Sequence, residues 1–289
     1  MASIRQLKSR IRSVKSTKQI TKAMQLVAAS KMRRAQEADK ASAPYTKAAS
    51  ELLTHLAAQG VTDDHPLFQH RDVQSRLIIV IAADKGLVGA YNSNVLKLYL
   101  NELRNDQKNG VVNQTLTVGK KASRFAARLK AVDVVGVYED IPDKPSGHQL
   151  DAILATAKAA FVSDEVQAVD VVYTEYINSI SQNVQVKRIL PAGFVKTEVT
   201  TNIRDAKFEP SVEAVLDAAV DRLIEAQLFQ ALLDAKASEY SMQMVAMKNA
   251  TDNASDIVDD LTLAMNKVRQ GAITQELAEI SGGVEALKE

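Results

Sequence analysis

The stretch "TKQITKAMQLVAASKMRRAQ", residues 17–36, is basic and rich in alanine and methionine, and it contains no acidic residue, glycine or proline. Three roles fit such a stretch: a cleaved targeting segment, a helix that binds nucleic acid or membrane, or one strand of a coiled coil. What the rest of the chain offers it as a partner decides among them, and with them the fold.

Proline and glycine divide the chain in three. Residues 2–43 contain neither, before Pro44 and Gly60 interrupt, and residues 211–270 again contain neither. In the first segment Ile4, Leu7, Ile11 and Val14 make an apolar stripe. The stripe resumes at Ile20, Met24 and Val27 after a shift near Thr17, as in a coiled coil with a stammer. In the last segment Val215, Ala219, Ile257, Leu261, Ala264, Val268 and Ala272 fall on similar seams, and Ser211 after Pro210 is placed to cap the helix start. An uninterrupted helix over residues 211–270 is on the order of 90 Å long, so it is expected to protrude from a compact domain.

Charge points to the partner. Residues 1–36 carry ten basic side chains, among them Arg5, Lys22, Lys31 and Arg34, with no acid. Residues 211–289 carry fourteen acids and six bases, a net of 6 − 14 = −8. The total of +1 therefore hides two oppositely charged ends. Exposed pairs contribute only about 0.2–1 kcal/mol each, but they favour unlike over like association. An antiparallel coiled coil of the two termini is the economical reading. It also accounts for the apolar stripe, which the targeting and nucleic-acid readings do not.

The middle segment reads as α/β. Strands are predicted at residues 77–83, 111–118, 132–138 and 169–177, with helices at 94–105, 120–130 and 149–161. This alternation predicts a parallel, Rossmann-like sheet with right-handed crossovers. A further strand at 184–190 follows Asn178-Ser179 closely enough to pair as a hairpin edge.

Composition narrows the chemistry. The 289 residues are 46% hydrophobic but only 4% aromatic, which favours helices packed through Ala, Leu, Val and Met. There is no cysteine, so disulfides and thiolate metal sites are excluded. The histidines His55, His65, His70 and His148 form no paired ligand spacing, and no metal or cofactor is expected. The longest apolar run, "LIIVIAA" at 77–83, is strand-sized and far short of a membrane span. No apolar signal core follows the first residues, and the expectation is a soluble chain made in a reducing compartment.

Two turns deserve weighing as phosphate loops. "DKGLVGAYN" (84–92) follows the first strand, yet it lacks the third glycine of G-x-G-x-x-G and the G-K-[ST] of a P-loop. Its glycines serve equally well for a tight strand-to-helix turn. "VGKKAS" (118–123) is weaker still. The carboxylates Asp133, Glu139 and Asp140 have no nucleophile or histidine nearby in sequence, so no acid/base constellation stands out. Met242, Met244 and Met247 read as helix packing, with an adaptable sliding surface as the alternative.

The same residues carry a family resemblance that runs the length of the chain. "IRSVKSTKQITKAMQLVAASKMRRAQ", "DKGLVGAYN" and "AMKNATDNASDIVDDLTLAMNKVRQGAITQELAEISGG" stand in the order of three signatures of the γ subunits of F-type ATP synthases. The resemblance implies a shaft of the two terminal helices inside a ring of three α and three β subunits. It implies a central α/β foot that joins the ε subunit and the membrane c-ring, and one copy per complex. It assigns residues 1–60 and 209–289 to the coiled coil and 61–208 to the foot. By the same resemblance Lys22, Met24, Arg269, Gln270, Thr274 and Glu276 are expected rotor–stator contacts, and Phe208 and Glu209 of "FEP" are expected near the c-ring. Gln243 stands where the family often has arginine, and the cysteine pair of chloroplast-type members is missing. No catalytic residue, cofactor or nucleic-acid partner is implied. Because the first signature begins a few residues after Met1, no presequence is expected, and a bacterial chain attached peripherally to the cytoplasmic side of the inner membrane is the implied setting. A free-standing coiled-coil scaffold and a nucleotide-binding enzyme remain the alternatives.

Overall fold

Each of the two breaker-poor ends forms one long helix. The computed structural model describes residues 3–62, 65–130, 132–143, 147–194 and 208–286. Helix α1 is Ile4–Ala58, β1 Ser75–Ile81, α2 Tyr91–Asn109, β2 Val112–Val118, α3 Lys120–Ala126 and β3 Asp133–Tyr138. They are followed by α4 Gly147–Val162, β4 Ala168–Tyr176, β5 Gln182–Leu190 and α5 Val212–Ala286. The chain divides into two compact units, Met1–Ala28 with Met244–Glu289, and Ala29–Gln243.

In the first unit α1 and α5 pair as an antiparallel coiled coil, and burial locates its seam. On α1 the covered positions are Leu7, Ile11, Val14, Lys18, Thr21, Gln25 and Ala28, spaced 4-3-4-3-4-3. On α5 they are Met244, Met247, Thr251, Ala254, Val258, Leu261, Met265, Val268 and Ala272, spaced 3-4 throughout. Both are unbroken heptad seams. The expected stammer is therefore absent. Ile20 and Val27, predicted inside, are 57% and 55% exposed, and so is Ile257 at 48%. Thr21 holds the seam position instead, its hydroxyl 2.8 Å from that of Thr251. Ranking residues by hydrophobicity displaced the stripe by one position, because a threonine is admitted where its hydroxyl finds a partner across the seam.

Opposite charge does not clamp the pair as expected. Among the described residues no salt bridge joins the ten basic side chains of 1–36 to an acid of α5; Lys31 pairs with Asp143, outside both helices. Most of these basic groups are exposed, on the flanks of a seam that is apolar apart from its polar Thr21, Lys18 and Gln25. Packing holds the helices together, and charge acts at most over distance.

In the second unit the strand order is β3-β2-β1-β4-β5, parallel except for the antiparallel β4–β5 edge pair. β1 is almost wholly buried, as a parallel strand covered on both faces should be. One face, with Leu77, Ile79, Ile81 and Val171, packs against Leu53 and Leu56 of α1, Phe161 of α4 and Leu223 and Leu228 of α5. The other, with Ile78, Val80 and Val172, packs against Val95 and Tyr99 of α2 and Ala122 of α3. The hairpin turn is set by Asn178, whose Oδ1 accepts from the amides of Ile180 and Ser181 at 2.9 and 2.8 Å.

Helix ends follow local chemistry with one exception. Ser211 Oγ accepts from the Ala214 amide at 3.2 Å, the expected cap of α5. Gly110 ends α2 at φ 74°, its amide and that of Val111 closing on Gln107 and Asp106 carbonyls. Pro44, however, does not end α1, which continues to Ala58. An interior proline costs about 3 kcal/mol or more. Leu53 and Leu56 beyond it are fully buried, and burying two leucines offsets that cost.

Candidate functional site

The loop after β1 is built to close the sheet. Asp84 Oδ1 accepts from the amide of Lys120 at 3.0 Å and of Asp140 at 3.2 Å, so one carboxylate ties the ends of β1, β2 and β3 together. Asn92 Oδ1 accepts from the Ala83 amide at 3.0 Å, and its Nδ2 donates to the Lys85 carbonyl at 3.3 Å. Gly119 (φ 92°) leaves no room for a side chain, since a Cβ there would lie 2.0 Å from the Ala82 oxygen. Lys120 spends its ammonium on Asp140 at 2.6 and 2.7 Å.

At the ends of these strands a doubly wound sheet would receive a nucleotide. Here α5 crosses that space. Leu232, Ala235, Lys236 and Glu239 close it against Asp84, Tyr91 and Gly119, leaving a cavity of about 10 Å³, room for roughly one water. Burial pushes the Glu239 carboxyl above its ordinary value, with Lys236 at 3.7 Å pulling the other way. The methionines resolve as packing: Met247 is buried in the seam, and Met242 packs with Val88 and Tyr91. Gln243 is half-buried.

The expected contact residues lie mostly on open surface. Lys22 is exposed, its ammonium donating to Gln25 at 3.2 Å, and Met24 is half-buried. Arg269, Gln270, Thr274 and Glu276 are exposed, and the Thr274 hydroxyl donates back to the Gln270 carbonyl at 2.9 Å. At about 100° per residue, Gln270 and Thr274 point away from the seam while Arg269 and Glu276 flank it. The structure gathers these four on two turns of α5, but it does not bring Lys22 and Met24 to them. With Thr21 opposite Thr251, the two groups are centred roughly 35 Å apart along the pair.

Sequence reasoning missed part of this surface. Ile273, Leu277 and Ile280 lie at i, i+4 and i+7 on α5 and are 50%, 62% and 65% exposed. On α1 Leu26 joins Ile20 and Val27 outside the seam at 61%. The signal was present in the sequence: these residues fall outside an unbroken heptad register. Phe208, by contrast, packs on the core of the second unit, its ring 6.0 Å from that of His55, while Glu209 is exposed. Among the described residues no group of metal-binding side chains is assembled, and no helix is long and apolar enough to cross a membrane.

A sequence profile described as ATP synthase matches residues 3–287. The ATP synthase gamma chain of Xylella fastidiosa (strain M12) is 39% identical over 288 residues, 99% of this chain and 100% of that one. The chain belongs to the ATP synthase gamma-chain family. The gamma chain of Ralstonia nicotianae is likewise 39% identical, over 292 residues and the whole of that chain. Solved structures share the fold. A chain of the Euglena gracilis mitochondrial ATP synthase aligns over 98% of this chain and 94% of its own, at TM-score 0.67 and 20% identity. A chain of the Tetrahymena thermophila mitochondrial ATP synthase central stalk and c-ring aligns over 80% and 99%, at 0.61 and 23%. Gamma-chain membership accounts for the two long terminal helices and the five-stranded α/β sheet between them in sequence.

Proposed function

We propose that this chain is the central-stalk rotor subunit of a proton-driven ATP synthase, passing rotation between the c-ring and the catalytic ring of three α and three β subunits. The observation that carries this reading is the paired unit of α1 and α5: two unlike helices with an unbroken seam and a mixed polar and apolar outer surface. A shaft shifts an equilibrium only through contacts that differ between the states it touches. A pair of unlike helices has no rotational symmetry, so three identical surroundings meet three different faces at once.

In this reading residues 1–60 and 209–289 are the shaft and 61–208 the foot. Lys22, Met24, Arg269, Gln270, Thr274 and Glu276 touch the surrounding ring, joined by the apolar stripe of Ile273, Leu277 and Ile280. Glu209, beside the core-packed Phe208, faces the c-ring, and the ε subunit binds the foot. In this reading the chain has no catalytic residues of its own; the strand ends closed by α5 support that assignment. Its place is the cytoplasmic side of a bacterial inner membrane, held there by its partners.

Co-purification from the native membrane tests the proposal. Stoichiometric recovery of α and β subunits, with ATP-driven proton pumping by the reconstituted complex, is the expected result. Recovery of this chain without α and β would overturn it.

A further inference from the structure

The second unit holds α5 by two separate clasps, the first of which also reaches α1. The first comes from the loop after β3. Asp143 accepts from the Tyr240 hydroxyl of α5 and pairs with Lys31 of α1 at 2.9 Å, while the Lys31 ammonium lies 5.1 Å from the centre of the Tyr240 ring. The second comes from the β4–β5 hairpin. Ser241 of α5, fully buried, donates to the Ser179 carbonyl at 2.9 Å, and the buried Ser238 donates to the Thr174 carbonyl at 3.2 Å.

These contacts fall within four residues of one another. On α5 they are Ser238, Tyr240 and Ser241, and Tyr240 projects about 100–160° round the helix from the two serines. A single contact on a helix is a hinge about which the helix can turn. Two contacts at different azimuths form a couple, and turning the helix then requires breaking one of them. Lys31 extends the first clasp to the other helix, so both are held against one loop. Burial alone would not do this, because apolar contacts are non-directional and allow sliding.

We infer that the Lys31–Asp143–Tyr240 contact is a positioning key that, with the hairpin clasp, fixes the α/β domain rotationally to α5 and ties α1 to the same loop, so that torque received by the domain reaches the helices without slip. The inference rests on the rotor reading. Tyr240 is held in its hydroxyl form by burial and by the Asp143 carboxylate. Burial raises the Asp143 carboxyl, but Tyr240 and Lys31 outweigh it and hold it below the ordinary range, so the key is set across the neutral range.

The test uses the complete complex, with Asp143→Ala, Tyr240→Phe and the exchanged pair Lys31→Glu/Asp143→Lys. In complexes that retain α and β, protons pumped per ATP hydrolysed are expected to fall by about twofold or more for Asp143→Ala, matching loss of one directional contact. The angular fluctuation of single rotors should widen, while ATP hydrolysis itself is largely retained. The exchanged pair should recover part of both, which a merely structural loss would not. Unchanged pumping ratio and fluctuation in Asp143→Ala and Tyr240→Phe would overturn the key while leaving the rotor reading intact. Loss of α and β from the unaltered chain would overturn that reading itself.

Discussion

The hydroxyls of Thr21 and Thr251 meet at 2.8 Å inside an otherwise largely apolar seam, 230 residues apart in sequence. Thr251 also approaches the Met247 carbonyl at 2.7 Å, and Thr21 the Lys18 carbonyl at 3.1 Å. Each hydroxyl has one proton. The shortest consistent chain has Thr251 donating to Met247 and Thr21 donating to Thr251. This buried hydroxyl pair sets register, because sliding by one heptad would bury both hydroxyls opposite apolar groups.

Replacing either threonine with valine should therefore be mild, about 1 kcal/mol, because the survivor keeps a helix carbonyl as acceptor. The double valine variant should regain most of that stability while losing the register preference. A urea-unfolding double-mutant cycle measures the coupling, and a single substitution costing several kcal/mol would contradict this account.

Arg76 at the start of β1 donates to Asp106 at 2.7 Å, Asp170 at 3.0 Å and Glu102 at 3.0 Å, and Asp170 also takes two bonds from Arg188. Burial pushes the Asp106 carboxyl up despite the guanidinium beside it. Arg76→Met should cost about 3–5 kcal/mol, because Asp106 stays buried without its counter-charge while Asp170 keeps only Arg188. Arg76→Lys should rescue little, since one ammonium cannot reach three carboxylates in the geometry of the guanidinium fork. The urea midpoint reads both.

Two glycines should respond oppositely to alanine. Gly119→Ala drives a methyl into the Ala82 carbonyl at a positive φ, and a loss of about 3 kcal/mol or more is expected. Gly86 has nothing within 4 Å of an added Cβ, so Gly86→Ala should stay within about 0.5 kcal/mol. Thermal unfolding of the pair checks this.

Glu239 gives a pH dependence of defined sign. Its neighbours are Lys236 on its own helix, Asp84 after β1, Asp143 after β3 and Lys31 on α1. Because the folded carboxyl holds its proton above the ordinary value of 4.5, stability falls as pH rises from that value through the raised one. Glu239→Gln should match the parent in acid and exceed it at neutral pH. Melting temperature against pH tests this, and parallel curves would count against it.

Arg269→Ala and Gln270→Ala probe the exposed end of α5. Both side chains are solvent-exposed, so stability should change by no more than about 0.5 kcal/mol. Coupled ATPase of the assembled complex should nevertheless drop. Unchanged turnover and pumping would remove these residues from force transmission.

Much of the fold was legible because it is local. Breaker-free ends, the Ser211 cap, the turn at Asn178 and the apolar run of β1 each act within a few residues of themselves, and the strands and crossovers fell where they were expected. Pro44 was misread for the same reason in reverse: its local cost is real, but Leu53 and Leu56 are held by residues far along the chain. The polar cluster from Arg269 to Glu276, proposed as a ring contact, was singled out by family resemblance alone. The apolar stripe at Ile273, Leu277 and Ile280 stands out only once the heptad register is known.

By itself the sequence determined that two long helices would flank an α/β sheet, since periodicity, capping and charge are written along the chain. Only the tertiary structure decided which face of each helix is the seam. Ile20 and Thr21 differ by about 100° on α1, and hydrophobicity favours the isoleucine. The threonine is inside because Thr251 stands opposite it, and a partner 230 residues away leaves no trace in the local pattern. The closing of the strand ends by Leu232, Ala235 and Glu239 was settled the same way, through the line α5 takes across the sheet.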